Sequence, residues 1–291
     1  MKPARHITLT GAEGNRLEAE IWGSAGHPVI LLHGGGQTRH AWSRTAMRLA
    51  SAGMQALAVD LRGHGESEWV ATGHYRFADF GRDADALVAQ VADLFGEAPS
   101  GVGASLGGLS LLTSEINIRP RLSSLVLVDI VPRMNRKGVE HILGFMQARL
   151  GEGFASLEEA ADAIAAYLPH RKRPKSLDGL SKNLRIGDDG RYRWHWDPNF
   201  AAGEYSIDTG AEAHMVALDA NLDRLECPAL LVRGMQSELV GEEIARYTVA
   251  RIPRGEYADV GGAGHMVAGD RNDVFCDAIL AFLTRVEGTG L

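Results

Sequence analysis

The sequence predicts an α/β fold: a mostly parallel central sheet with helices on both faces, interrupted by an inserted helical cap. Three observations carry that expectation. Short apolar runs such as Val29-Ile-Leu-Leu32 have the composition of strands buried on both faces, as in parallel sheets. Through the first half of the chain such runs alternate with segments of helical periodicity, the order of a sheet wound with crossover helices. The alternation stops at about residue 132 and resumes after 214. The core is therefore expected over 1–131 and 215–291, and the cap over 132–214.

The elements follow in order. Ile7–Thr10 and Leu17–Ile21 alternate in polarity around Gly11-Ala-Glu-Gly14, as an antiparallel hairpin does. Val29–Leu32 and Gln55–Val59 read as strands, with a helix from Ser43 to Ala52 between them. Asp83–Phe95 sets Ala84, Leu87, Val88, Val91 and Leu94 on one helical face. Pro99-Ser-Gly-Val-Gly103 is a weak strand by composition, with few β-branched residues. A helix over Leu106–Ile118 and a strand over Leu125–Val128 come next. The insertion holds helices at Val139–Leu150, Leu157–Tyr167 and, more weakly, Leu177–Leu184, and no strands. The core resumes with strand Ala229–Val232, helix Glu242–Ile252, strand Glu256–Val260 and helix Asp273–Val286.

Composition narrows the function. The chain has 291 residues, 45% hydrophobic and 23% charged, and a formal net charge of −7. That balance argues against a nucleic-acid surface, which needs a basic face. The basic run Arg171-Lys-Arg-Pro-Lys175 lacks aromatic or glycine companions and reads as a solvated loop. Cys227 and Cys276 stand apart in apolar surroundings, as buried free thiols do. No secretory h-region and no apolar run of roughly 20 residues occurs, so a cytoplasmic location without membrane contact is expected. No metal or cofactor is expected either, because neither HExxH nor other ligand spacing occurs.

The chemistry concentrates in GVGASLGGLS, residues 101–110, with four glycines and two serines. Gly103-Ala-Ser105-Leu-Gly107 fits G-x-S-x-G, in which a strand turns sharply into a helix and lifts the serine hydroxyl above the sheet. A dinucleotide loop started at Gly101 would need glycine or alanine where Leu106 stands, and no Walker lysine follows. The phosphate reading fails on residue identity.

The other parts of a nucleophilic site can be read around it. The helix beginning after Ser105 aims the Leu106 amide at an oxyanion. Val29-Ile-Leu-Leu-His-Gly-Gly-Gly36 runs from a strand into three glycines, so the bare amide of Gly35 can approach the same oxygen. His33 is expected to brace that loop. A serine hydroxyl needs a base, and His265, in the small-residue loop Val260-Gly-Gly-Ala-Gly-His265, is placed for it. The carboxylate that orients an imidazole is expected at Glu238, after the penultimate strand. Asp129, at the end of Leu125–Val128, competes for that role.

These motifs resemble the α/β-hydrolase superfamily: LLHGGG (31–36), DLRGHGES (60–67), GASLGG (103–108), LLVRGMQSE (230–238) and GGAGHMV (261–267). The likeness spans nearly the whole chain. It is nearest the capped branch holding carboxylesterases, epoxide hydrolases and cofactor-free haloperoxidases. The resemblance implies a triad of Ser105, Glu238 and His265, oxyanion amides at Gly35 and Leu106, a non-catalytic turn at Asp60–Ser67 and a lid made by the insertion. Epoxide hydrolases and haloalkane dehalogenases of this fold use an aspartate nucleophile, which Ser105 excludes. Glutamate is less common than aspartate in the acid loop, which keeps Asp129 in play.

The activity expected is hydrolysis of a carboxylic ester, or a lactone, of a small to medium apolar substrate through an acyl-enzyme. Perhydrolysis and carbon–carbon bond hydrolysis use the same residues, and a ligand receptor on this fold is the non-enzymatic alternative. Phe145, Met146, Trp194, Trp196 and Phe200 from the cap, and Trp42 after the glycine loop, are the expected apolar walls. Arg149, Arg193 and His195 are the expected polar contacts.

Overall fold

The computed structural model describes residues 5–167, 177–181, 183–265 and 272–288. The basic run 171–175 lies outside them. The chain opens with the expected hairpin, β1 (Arg5–Thr10) and β2 (Arg16–Trp22), paired so that Ile7 faces Ala19. Next come β3 (Pro28–Leu32), α1 (Ser43–Ser51), β4 (Gln55–Val59), α2 (Phe77–Phe95), β5 (Ser100–Ala104), α3 (Leu106–Thr113) and β6 (Ser124–Val128). The segment between β6 and β9 carries α4 (Arg136–Gln147), α5 (Leu157–Tyr167), α6 (Asp178–Ser181), β7 (Leu184–Ile186), β8 (Tyr192–Trp194), α7 (Pro198–Ala202) and α8 (Ala211–Ala220). It closes with β9 (Ala229–Gly234), α9 (Glu242–Ala250), β10 (Gly255–Val260) and α10 (Cys276–Val286).

The eight-stranded sheet runs β1-β2-β4-β3-β5-β6-β9-β10, parallel from β4 onward. Successive side chains of a strand point to opposite faces. Ile30 and Leu32 accordingly join the apolar cluster on one face of the sheet, and Val29 and Leu31 the cluster on the other. The winding places β4 on one side of β3 and β5 on the other. Where strand order reverses, loops at the carboxyl ends of neighbouring strands diverge and leave a crevice. The loops after β3 and β5 carry the triple glycine and Ser105.

Four elements depart from expectation for physical reasons. Helix α2 starts six residues early, because its buried face includes Asp79 and Asp83, which an apolar periodicity overlooks. Asp79 accepts the Arg76 amide at 2.8 Å, capping the helix, and Asp83 is gripped by Arg62 at 2.7 and 2.6 Å. Strand β5 forms despite its composition because its glycines are sterically required. A Cβ on Gly101 would stand 2.8 Å from Leu122, and one on Gly103 would stand 2.4 Å from the Gly107 backbone. Packing overrides strand propensity here.

The β7–β8 hairpin contradicts the expectation of an insertion without strands. Its signal was Asp189-Gly190, a pair that favours tight hairpin turns, with Gly190 at φ +74°. Finally, α8 runs through the expected core boundary at 214–215. No helix among the described residues is long and apolar enough to cross a membrane. Both cysteines are free thiols, and burial pushes that of Cys227 up to about 12.

Candidate active site

Ser105 sits between β5 and α3 at φ +46° and ψ −115°, a conformation that costs a non-glycine residue of order 1–3 kcal/mol. The surroundings enforce it. A Cβ on Gly107 would lie 2.4 Å from the Leu32 carbonyl oxygen, and one on Gly108 2.7 Å from Ile130. The Ser105 amide donates to the Val128 carbonyl at 3.2 Å. Small residues thus let α3 press against β3 and β5, and the serine side chain projects into a cavity that His265 also lines.

His265 Nδ1 bonds Asp129 Oδ2 at 2.9 Å. Asp129 follows β6, next to β5 in the sheet, and also holds a positive φ, +51°. Its carboxylate accepts the Gly234 amide at 3.0 Å and the Ser237 hydroxyl at 2.7 Å. Three donors hold it in one orientation. The anion fixes the proton on Nδ1 and leaves Nε2 free to accept one.

Glu238, the acid expected from sequence, is not at this histidine. It is exposed and lies 3.6 Å from His141 of α4. The reason is the turn after β9. The Ser237 hydroxyl accepts the amides of Leu239 and Val240 at 3.2 and 3.1 Å. That turn points Ser237 inward to Asp129 and Glu238 outward. Of the two carboxylates weighed from sequence, the structure brings Asp129 to His265.

The glycine loop after β3 leaves selected amides open. Gly34 N–H donates to Gln37 Oε1 at 2.9 Å, and Gly36 N–H to His64 Nε2 at 3.1 Å. Neither the Gly35 nor the Leu106 amide has an acceptor among the described residues, and both residues line the cavity beside Ser105. Their placement suits an oxyanion hole, in which preorganised donors face the developing charge.

Three buried histidines hold this loop, each by both ring nitrogens. His33 takes the Leu61 amide on Nε2 (3.0 Å) and donates Nδ1–H to the Gly34 carbonyl (2.8 Å). His64 takes the Gly36 amide and donates to the Arg62 carbonyl at 2.9 Å. His195, just past β8, takes the Gly65 amide at 2.7 Å and donates to the Gly36 carbonyl at 3.2 Å. His33 is the brace expected. His195 is a fastening of the loop rather than a substrate contact.

A ring that accepts on one nitrogen must be neutral, and burial pushes His33 down to about 4, His64 to about 3 and His195 well down. Between these values and the unfolded value near 6.5, the unfolded chain binds more protons than the folded one. Stability is therefore full above about pH 6.5 and falls as pH drops toward 3. At pH 4.5 His33 and His64 each withdraw on the order of 2 kcal/mol. Urea melts at pH 7.5 and 4.5 should show the loss, with a shallower pH slope in His195→Gln. An unchanged slope in that variant would remove His195 from the account.

The cavity is small, about 80 Å³, and apolar apart from Ser105 and His265. Phe145, Met146 and Phe200 line it as expected. Trp42, Trp194 and Trp196 do not line it and are corrected to packing residues. Trp42 is fully buried on the other face of the sheet. Trp194 and Trp196 stack on each other at 4.8 Å, and Trp196 presses against Gly36. Arg149 and Arg193 are tied at the surface to Glu159 and Asp189. Sequence reasoning missed Phe77, Met134, Ile142, Leu143, Ile207 and Leu239, because ordinary aliphatic residues carry no signal that separates a pocket wall from a core.

Residues 29–278 match the model of a family described as alpha/beta hydrolase. An esterase of Mycobacterium tuberculosis is 31% identical over 79% of this chain and 74% of its own length. A non-heme chloroperoxidase of Streptomyces lividans is 32% identical over 80% of this chain and 83% of its own. Among solved structures, an alpha/beta hydrolase from Novosphingobium aromaticivorans superposes with a TM-score of 0.78 over the full length of both chains, at 24% identity.

Proposed function

The chain belongs to the α/β-hydrolase family and is an ester-hydrolysing enzyme of it, and on that premise we propose that it cleaves carboxylic esters through an acyl-enzyme on Ser105. One observation carries the reading: Ser105, held at φ +46°, shares a cavity with a histidine whose Nδ1 is bound by Asp129 at 2.9 Å.

In the first half-reaction Ser105 Oγ attacks the ester carbonyl carbon while His265 Nε2 takes the hydroxyl proton. The carbonyl oxygen becomes an oxyanion facing the amides of Gly35 and Leu106. Collapse of that intermediate breaks the carbon–alkoxy bond, and His265 returns its proton to the departing alcohol. Water then attacks the acyl-serine, with His265 again the base, and releases the acid. Asp129 stabilises the imidazolium formed in each half without itself taking the proton. Phe145, Met146 and Phe200 supply the apolar surface against which the substrate rests.

A fluorophosphonate probe tests the assignment. It is expected to label one residue, Ser105, and to abolish hydrolysis of p-nitrophenyl butyrate in proportion to labelling. Labelling elsewhere, or full labelling with activity intact, would overturn it. The likeness to a chloroperoxidase favours a second use of the same site, with peroxide replacing water in deacylation and yielding a peracid. Bromination of monochlorodimedone in acetate, peroxide and bromide, where the peracid oxidises bromide to hypobromite, reads that reaction out separately.

A further inference from the structure

A second cavity of about 490 Å³ adjoins the first. It lies among α2, the segment after β6, α4 and α8, and shares Phe77, Met134, Val139, Leu143 and Ile207 with the wall of the inner one. These five residues form the common apolar wall between the two. The inner chamber, at about 80 Å³, is smaller than the ~150 Å³ apolar void that accepts a benzene molecule. It accommodates an ester group and a short arm. The outer chamber falls within the roughly 300–1,000 Å³ typical of small-molecule sites.

Resting on the ester-hydrolase reading, we infer that the outer cavity is a subsite for a long, uncharged apolar arm of the ester, which reaches it between the side chains of this shared wall. Apolar residues line it, with Ala211 and Met215 of α8 inside and the exposed Val216 at its mouth. Its rim is not basic. Arg133 is paired with Asp219 at 2.9 Å and Arg136 with Glu140 at 3.1 Å. Asp208 and Glu212 also stand at the rim, and no cation among the described residues pairs with either. An arm ending in carboxylate would meet net negative charge there, whereas an alkyl or aryl arm would bury its surface at roughly 25 cal/mol per Å².

The test is a chain-length series on the intact protein: p-nitrophenyl acetate to decanoate for the acyl arm, and methyl to decyl butyrate for the alkoxy arm. In Ala211→Trp and Val216→Trp a ring occupies the outer chamber. The kcat/KM ratio of the longest to the shortest ester, in one of the two series, is expected to fall at least tenfold in these variants. Ile186→Trp, on the exposed cap hairpin and lining neither cavity, should keep the parental ratio. An ester whose long arm ends in carboxylate should be cleaved at least tenfold less efficiently than its uncharged counterpart. Ratios equal to the parent's in both α8 variants, with circular dichroism showing them folded, would overturn the subsite while leaving ester hydrolysis standing. A parent protein that cleaves no ester of either series would instead overturn the ester reading, and the subsite with it.

Discussion

Ser105→Ala is expected to lower kcat on p-nitrophenyl esters by at least about 10³-fold, with the fold retained. The size of the effect follows from what the hydroxyl does. In the proposed mechanism it forms the covalent bond to the acyl carbon, and without it His265 has no proton to relay. Donors at Gly35 and Leu106 would still polarise a bound carbonyl, so a residual rate above the uncatalysed one remains. The substitution relieves no backbone strain, because alanine meets the same steric limits at φ +46°. Melting temperature should therefore stay within a few degrees of the parent. Esterase activity within tenfold of the parent, in enzyme shown free of contaminating hydrolases, would remove Ser105 from the mechanism.

Asp129→Asn is expected to cost about 10⁴-fold in kcat, the effect known for an aspartate that fixes a catalytic imidazole, while Glu238→Gln leaves it within about twofold. The asparagine amide can donate where the carboxylate only accepts. It can therefore place the proton of His265 on Nε2, the nitrogen that must receive the serine's proton. Glu238 is largely exposed and pairs among the described residues with His141, and such surface pairs are worth ~0–1 kcal/mol. Measuring both variants at pH 7.5 decides between the acids. A large loss in Glu238→Gln with little in Asp129→Asn would restore the assignment drawn from chain order and discard the one drawn from geometry.

The serine side of the candidate site was legible because its geometry is local. Glycines at 103, 107 and 108 exist to let a helix touch two strands, and that requirement is written within six residues of sequence. The same holds for His33-Gly-Gly-Gly36, where a strand end and three glycines announce an open amide. His265 stood out through its small-residue loop after the last strand.

The choice between Glu238 and Asp129 was not legible, and the reason is register. Val128 pairs with Val232 across β6 and β9, which places the Asp129 amide on the Val232 carbonyl at 2.7 Å. Gly234 then reaches the Asp129 carboxylate, and the turn that follows sends Ser237 inward and Glu238 outward. Asp129 and His265 are 136 residues apart, so their meeting depends on two strand alignments and a turn that no local pattern contains. The tryptophans failed in a related way. An aromatic residue near a site suits a pocket wall or a buried stack equally, and burial on a particular face decides which.

By itself the sequence determined the class of fold and picked out the serine turn at 103–108 and the glycine loop at 34–36, because each is imposed by sterics between near neighbours in the chain. Only the tertiary structure decided which carboxylate meets His265, the neutral histidine brace and the two chambers, because those depend on which distant side chains packing brings to the same few ångströms.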